Sequence, residues 1–356
     1  MIDFRYHLVS IIAVFLALAV GLAIGANLLP QATEAVLQKT ATRVTDANNR
    51  LTKQNNTLKQ QISADQNFGQ ASAGRLLAHL LDGQSVVLVT APSADSQLLS
   101  GVTAAIKQAG GTVTGQVSLQ SQFFSSGEST QQNLLQVAQA QASDAGVQLP
   151  TQPPGGPVAG QQEAAQVIAA ALVDKNDVSL APAQSQAVLS GFSQQGYLTI
   201  STPANSSPRT LATATMAVVV APSSPPTTSD SSPANLALIA VAEQFQAASH
   251  KTVLAGSISG SGPGSAIDAV TSGAGKVTTV DNADQPIGEI MTVQALWELM
   301  SGHAPASYGV GPNAVPSPAP TPSQSPTSTT NTGTTTKHSG KNSSASKNDP
   351  SPHPRK

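Results

Sequence analysis

The chain has 356 residues, of which only 10% are charged and 3% aromatic, so one continuous core over its whole length is not expected. We predict one folded domain of roughly 220 residues between non-globular ends. The formal net charge of −2 shows no strong basic or acidic balance, and no nucleic-acid partner is predicted. The absence of cysteine excludes disulfides, thiolate metal sites and cysteine nucleophiles, and it suits a protein outside the cytoplasm.

The N-terminal segment is an apolar run, LVSIIAVFLALAVGLAIGANLL, over residues 8–29. As a helix it would be roughly 33 Å long, which is enough to cross a hydrocarbon core of about 30 Å. The run is longer than the apolar region of a secretory signal peptide, and its basic flank consists of Arg5 beside Asp3. We therefore predict a transmembrane anchor over residues 1–30, with removal as a signal peptide near residues 23–25 as the alternative.

The charges around the anchor give a weak orientation signal. Arg5 and the amino terminus favour a cytoplasmic N-terminus, whereas Lys39 and Arg43 follow the anchor on its other side. Because these two cations are separated from the end of the apolar run, we predict a single-pass membrane protein with most of the chain outside the cytoplasm.

Small residues recur every four positions along the anchor and would line one face of its helix. They are Ala13, Ala17, Gly21 and Gly25. Such a face lets the backbone of a partner helix approach closely, as in small-xxx-small pairs. Glycine and alanine are also common in membrane helices for other reasons, so the span alone leaves helix pairing and plain composition equally open.

After Pro30 the sequence becomes polar, and apolar residues return with a spacing of seven. Heptad position d is occupied by Leu37, Val44, Leu51 and Leu58, and position a by Ala41, Asn48, Asn55 and Ile62. Asparagine at a favours a parallel pair, since each Asn can bond to its mate across the seam. We predict a coiled coil over residues 31–68 that forms a parallel homodimer or a higher homo-oligomer and brings the faces of Gly21 and Gly25 together; a single polar helix lying on the domain is the alternative.

Residues 69–310 are predicted to form an α/β domain. The strand patterns are QSVVLVTAP, TVTGQVSL, YLTIS, TATMAVVVAP, KTVLAGSI and KVTTVDN, and helical patterns such as NLALIAVAEQFQAASH lie between them. This alternation predicts a mostly parallel, doubly wound sheet with helices on both faces. Residues 121–160 are poor in apolar residues and are expected to leave the sheet. Residues 311–356, rich in Pro, Ser and Thr, are predicted to be a disordered tail.

Two segments of the domain carry residues with possible chemistry. The loop GSISGSGPGS, Gly256–Ser265, lies between a strand and a helix as a phosphate-binding loop would, but it lacks the G-x-G-x-x-G spacing and a Walker lysine, so a glycine-rich turn is the simpler explanation. The segment VDNADQPIGE brings Asp281, Asp284 and Glu289 to the end of the last strand. These carboxylates could hold a hard cation or transfer protons, while a helix cap at Asp284 is the simpler explanation.

No cofactor or catalytic activity is predicted from the residues, and the ligands of any metal stay unknown. Met300 and His303 are the one close pair of soft-metal ligand types in the folded part of the sequence, which has no Cys-x-x-Cys motif, Met-rich run or His cluster. Nucleophilic catalysis would need a motif such as G-x-S-x-G, which the sequence also lacks. We therefore expect the chain not to be an enzyme.

The most specific parts of the sequence are the opening MIDFRYHLVSIIAVFLALAVGLAIGANLL, the heptad helix after it, and the closing TTVDNADQPIGEIMTVQALWELMSGHAPASYG. They resemble the actinobacterial copper transport outer membrane protein family of the MctB type, over residues 1–310. The resemblance implies a role in copper homeostasis, as a membrane-associated pore or efflux component of the cell envelope that limits intracellular copper. Copper ion would be the transported species, and no catalytic or metal-ligand residue is implied.

This implied activity is in tension with the predicted architecture. One apolar helix per chain cannot line a polar pore, and a globular α/β domain lacks the alternating lipid-facing pattern of an outer-membrane barrel. Either several chains assemble, or the protein supports copper handling as an anchored module. The alternative function is therefore a structural or interaction protein of the cell envelope that dimerises through its coiled coil and is not itself a channel.

Overall fold

The computed structural model describes residues 4–150, 155–174, 179–202, 211–224 and 232–318, without the side chains of residues 4–5, 26–35 and 274. Within these residues the α-helices are α1 Phe4–Leu77, α2 Ser96–Gln108, α3 Glu128–Ala145, α4 Ala159–Leu172, α5 Pro182–Gln194, α6 Pro233–Ser249, α7 Ala266–Ala269 and α8 Pro286–Met300. The strands there are β1 Ser85–Thr90, β2 Thr112–Leu119, β3 Leu198–Ser201, β4 Met216–Val220, β5 Thr252–Ala255, β6 Thr278–Val280 and β7 Ser307–Tyr308.

The strands form one sheet in the order β3-β2-β1-β4-β5-β6-β7. β3 is antiparallel to β2, and the other neighbouring strands are parallel. The central strand β4 has the sequence MAVVV and is buried at every residue, because a strand covered on both faces needs apolar side chains in both directions. The prediction of a mostly parallel α/β sheet is confirmed, and the predicted tail lies outside the described residues from residue 319 onward.

Helices cover both faces of the sheet and create two hydrophobic cores. One core joins β1 and β2 to α3, α4, α5 and α6 through residues such as Val87, Val117, Leu134, Ile168, Phe192 and Phe245. The other joins the opposite face to α2, α8 and the end of α1 through residues such as Leu77, Val86, Ile106, Val218 and Leu296. The C-terminal end of α1 therefore belongs to the domain.

Residues 121–160, which are expected to leave the sheet, contain α3 and the start of α4, which form a helical layer. Between β2 and β3 the described chain has no strand, but α3 and α4 lie there and pack against each other. α3 turns Leu134, Ala138, Ala142 and Ala145 toward the core. Because this face is mostly alanine, the sequence gives only a faint apolar periodicity for it.

The predicted boundaries at residues 30 and 68 are not breaks in the helix. α1 runs without interruption for 74 residues, roughly 110 Å at 1.5 Å per residue. It passes through Pro30, whose missing N–H removes a single backbone hydrogen bond from a ladder that continues on both sides. The anchor, the rod and the first part of the domain are thus one helix.

Candidate functional site

The N-terminal part of α1 is apolar enough to cross a membrane by length and composition, over Tyr6–Gly25. Its side chains from Tyr6 to Ile24 are exposed in the isolated chain. A Cβ added at Gly21 would meet no atom within 4 Å. Within the described part of the chain the small-residue face is therefore open at Gly21, as a face for a partner helix would require.

The seam of the rod is also open. We call the heptad a and d residues from Leu37 to Ile62 the seam. Its large apolar side chains are more than half exposed: Leu37 63%, Val44 63%, Leu51 65%, Leu58 57% and Ile62 54%. Asn48 and Asn55 are exposed between them. A seam of this kind is stable in water when another helix covers it.

The chain's own domain closes the same helix face farther along. Gly69 follows Ile62 by one heptad, so it lies on nearly the same side of α1. There a Cβ on Gly69 would lie 2.9 Å from Ile287 Cγ1 of α8, and Gln66 Nε2 donates to Gln285 Oε1. This face of α1 is open to another molecule along the seam, up to Ile62. From Gln66 onward the chain's own domain covers it.

A polar cleft of about 550 Å³ lies where the end of α1 meets α2 and α8. Its polar lining comprises Gln66, Gln70, Gln97, Gln108, Asp284, Gln285 and Glu289. Burial, and then the negative charge of Asp284, raise the pKa of Glu289. Among the described residues no group of three or more His, Cys, Asp or Glu could hold a metal ion, so this cleft offers amide and carboxyl hydrogen bonds rather than a metal centre.

The Gly256–Ser265 loop has the contacts of a glycine-rich turn. The Ser259 hydroxyl donates to the Ser223 carbonyl oxygen at 2.9 Å. The backbone N–H of Ile258 donates to Asp284 Oδ1 at 2.9 Å, so a carboxylate of the chain occupies a donor that a phosphate would need. The helix that follows is short: α7 has four residues and continues directly as a π-helix over Val270–Ala274. The structure favours the turn over a phosphate-binding loop.

The carboxylates of the VDNADQPIGE segment have separate structural roles. Asp281 is 7% exposed, and its carboxylate accepts from the N–H groups of Val310 at 2.8 Å and Gly311 at 2.7 Å. The prediction that Asp284 caps α8 is wrong, because the cap position is Gln285 and Asp284 bonds to the loop instead. Asp281 thus ties down residues 310 and 311, and the chain keeps its contacts with the domain beyond the predicted boundary at residue 310.

His303 belongs to no group of three or more His, Cys, Asp or Glu among the described residues. The backbone N–H of His303 donates to the Glu298 carbonyl at 3.1 Å, and His303 Nδ1 lies 3.2 Å from the same oxygen. The side chain of Glu298 accepts from the Tyr308 hydroxyl. Burial, and then the bonded and charged Glu298, raise the pKa of Tyr308 above its usual range. This cluster fastens β7 to the end of α8.

Sequence patterns did not identify one buried carboxyl group. Glu163 of α4 is 1% exposed and bonds to the side chain of Gln139. Its Oε2 has no hydrogen-bond partner among the residues that the structure describes. Burial raises the pKa of Glu163, an effect that the bond to Gln139 partly opposes. In the sequence this residue looks like an exposed helical Glu, and only the packing of α3 on α4 buries it.

Doubly wound sheets bind ligands beyond the carboxyl ends of their strands, and a small cleft exists there. It has a volume of about 400 Å³ and lies at the ends of β1 and β2, lined by uncharged residues such as Thr90, Ser93, Gln116, Ser118 and Gln120. Beside it, Ala94 and Pro222 pair as a β-bridge and join the loops after β1 and β4. These uncharged residues form no catalytic constellation.

An apolar N-terminal helix long enough to cross a membrane, an open helical rod and an α/β domain fit the class of membrane-associated proteins with a helical stalk. The family model for "Copper transport outer membrane protein, MctB" matches residues 1–318. The chain belongs to this family.

Curated relatives agree with this assignment. The protein named "Copper transporter MctB" of Mycobacterium tuberculosis (strain ATCC 25618 / H37Rv) is 30% identical over 323 residues, which covers 88% of this chain and 98% of the relative. The protein of the same name from Mycobacterium leprae (strain TN) is 31% identical over 320 residues, with the same coverage of both chains. The similarity therefore includes the anchor, the rod and the domain together.

Proposed function

We propose that this protein acts in copper homeostasis as a membrane component of the cell envelope that limits intracellular copper. The observation that carries the proposal is family membership over residues 1–318, together with relatives named as copper transporters that align over 98% of their length. Copper ion is the proposed transported species, in the role of a pore or efflux component. The proposal does not make the chain an enzyme.

The proposed topology is a single span with a cytoplasmic N-terminus and the rod and domain outside the cytoplasm. It is supported by the apolar segment Tyr6–Gly25 and by Arg5 at its start. Since the chain has no cysteine, a single Cys introduced at an exposed domain position can be labelled selectively. A membrane-impermeant maleimide should label Gln97→Cys in intact cells, whereas labelling only after lysis would reverse the orientation.

A pore would need several chains, because one helix per chain cannot enclose a polar path. Two separate faces of α1 support assembly, the small-residue face with Gly21 and Gly25 and the seam from Leu37 to Ile62. At about 100° per residue they lie on different sides of the helix, so each would contact its own neighbouring chain or the helix would have to twist between them. We propose that copper crosses, or is handed on, at an assembly of anchors rather than at a high-affinity site in one domain. This fits a domain whose described residues contain no cluster of metal ligands.

The decisive experiment measures intracellular copper in a deletion strain under copper stress. Deletion should raise intracellular copper and copper sensitivity, and the full chain should restore both. The double variant Gly21→Leu and Gly25→Leu prevents close approach of two helices. It should restore copper content and copper sensitivity less well than the double variant Leu18→Ala and Leu22→Ala, which keeps a small-residue face. Unchanged copper content after deletion would reject the copper function.

A second candidate function is an anchored structural or interaction protein that dimerises through its coiled coil. The observation that favours it is the open seam, because an apolar seam is stabilised in water by a second helix, independently of copper transport. The variant Leu51→Ser and Leu58→Ser should weaken dimerisation. If this variant abolishes dimers while copper control persists, assembly through the rod and copper handling are separate functions.

A further inference from the structure

The outward face of the rod carries a line of cations that the proposed function does not use. It consists of Lys39, Arg43, Arg50 and Lys53, with Asp46 as the acidic residue among them, and we call it the basic stripe. At about 100° per residue these positions fall within roughly 80° of one another on α1. The seam residues Val44 and Leu51 lie on the opposite side, so a second helix on the seam leaves the basic stripe uncovered.

The charged groups of the basic stripe are available for binding. Its residues are exposed. Among the described residues the one ion pair joins His79 to Asp82, so no carboxylate of the described chain pairs with the stripe. The hydroxyls of Thr40, Thr42 and Thr45 donate back to the carbonyl oxygens four residues earlier at 2.9 Å, which commits them to the helix itself.

Charge is unevenly divided between the rod and the domain. Residues 31–68 contain five basic residues and three acidic residues, a net charge of +2, whereas residues 69–318 contain six basic and 14 acidic residues, a net charge of −8. An anionic molecule is therefore attracted to the rod and repelled by the domain.

The position of the basic stripe argues against lipid head groups as its partner. Along a continuous helix Lys39 lies roughly 21 Å beyond Gly25, the end of the candidate span, and Lys53 roughly 42 Å beyond it. The field of an anionic membrane surface decays within about 8–10 Å at physiological salt. The cations instead follow the rod for roughly 21 Å, the direction of an extended chain lying along it.

We propose that the basic stripe binds a linear anionic polymer of the cell envelope, whose repeated phosphate or carboxylate groups lie along α1. Lysine supplies point charges and arginine can bind an anionic group through two parallel N–H donors, so the stripe suits either group. The binding needs no copper and no partner protein. A dimer would present two such stripes on its two outer sides.

The test uses the full chain in nanodiscs of zwitterionic lipid, with long-chain polyphosphate and polygalacturonate as probes. Wild type should bind at least one polymer, with affinity that falls as salt is raised. Replacing all four stripe cations by Gln should weaken binding at least about tenfold. The variant Lys39→Arg with Lys53→Arg, which keeps the charge, should bind as wild type does.

A matched control removes the same number of charges elsewhere: Arg75→Gln, Lys107→Gln, Lys251→Gln and Lys276→Gln. This control should bind the polymers like wild type, and circular dichroism should show the same helix content for all variants. Equal loss in the control, or no binding of either polymer by wild type, overturns the proposal. Binding to anionic vesicles alone would also overturn it and would identify a membrane contact instead.

Discussion

Gly69 of α1 lies against Ile287 of α8, so close that a Cβ on the glycine would be 2.9 Å from Ile287 Cγ1. This contact marks the point where the helix face that forms the seam passes from solvent to the chain's own domain. A partner helix on the seam must therefore end or diverge near Ile62. In a dimer the coiled coil would therefore be short and would end before the α/β domains begin.

Replacing Gly69 tests this junction. Gly69→Leu should destabilise the docked end of α1 by about 1–3 kcal/mol, because the larger side chain overpacks against Ile287. Urea unfolding and limited proteolysis of residues 66–77 would measure the loss. Gly74→Leu is the control, since a Cβ there meets only the flexible end of Gln108 at 3.4 Å and helix propensity favours leucine by up to about 1 kcal/mol. Equal destabilisation by both changes would contradict the packing.

Single cysteines test the parallel seam. Asn48→Cys and Asn55→Cys should each give disulfide-linked dimers under mild oxidation, because identical a positions face each other only in a parallel, in-register pair. Arg43→Cys and Lys53→Cys, on the opposite side of α1, should link far less. Analysis by non-reducing gel is direct, as the chain has no cysteine of its own. Failure at both asparagine positions would reject the coiled coil.

The sheet was predictable because its strands follow local patterns. β2 occupies the residues of TVTGQVSL, and the buried run of β4 lies within TATMAVVVAP. Continuous β-branched runs bounded by turns are typical of strands buried on both faces. The heptad spacing also predicts a helix over the rod, which α1 confirms, whereas the pairing of two such helices stays a prediction.

Other features depended on partners far away in the sequence. The role of Asp281 arises from amides 29 and 30 residues later, and no local pattern connects the two segments. The core helices α3 and α4 were missed because Ala138 and Ala142 provide little apolar contrast, while polar Glu163 is buried. Such tertiary effects override the local preference of the residues.

The loop held by Asp281 gives a further prediction. Gly309 has φ 137°, and a Cβ on it would collide with the Asp281 carboxylate. Gly309→Ala should therefore lower the free energy of unfolding by more than the roughly 1 kcal/mol expected from backbone conformation alone. Gly302→Ala is matched, since its φ is 84° and no atom lies within 4 Å of the added Cβ. Thermal unfolding should rank Gly309→Ala as the less stable variant, and the reverse order would contradict the role of Asp281.

Asp281 itself can be tested separately. Asp281→Ala removes the acceptor of the N–H groups of Val310 and Gly311. This loss should lower the free energy of unfolding by about 1–3 kcal/mol. Asp281→Asn keeps one acceptor oxygen and should cost less. Hydrogen exchange at the two amides is the specific measurement, because it should accelerate more in the alanine variant than in the asparagine variant. Unchanged exchange in both would show that these amides are protected by other means.

The buried carboxyl group of Glu163 should make stability depend on pH. Burial raises the folded-state pKa of Glu163 above the ordinary value of a glutamate, so the folded protein binds more protons than the unfolded chain between the two pKa values. The stabilising contribution of this group is complete below the unfolded pKa and is lost as pH rises through the folded pKa. Glu163→Gln stays neutral and keeps an amide for Gln139, so its stability relative to wild type should improve from pH 4 to pH 7. Urea unfolding of both proteins at several pH values measures this difference. A flat profile for Glu163→Gln relative to wild type would mean that the folded and unfolded pKa values of Glu163 coincide.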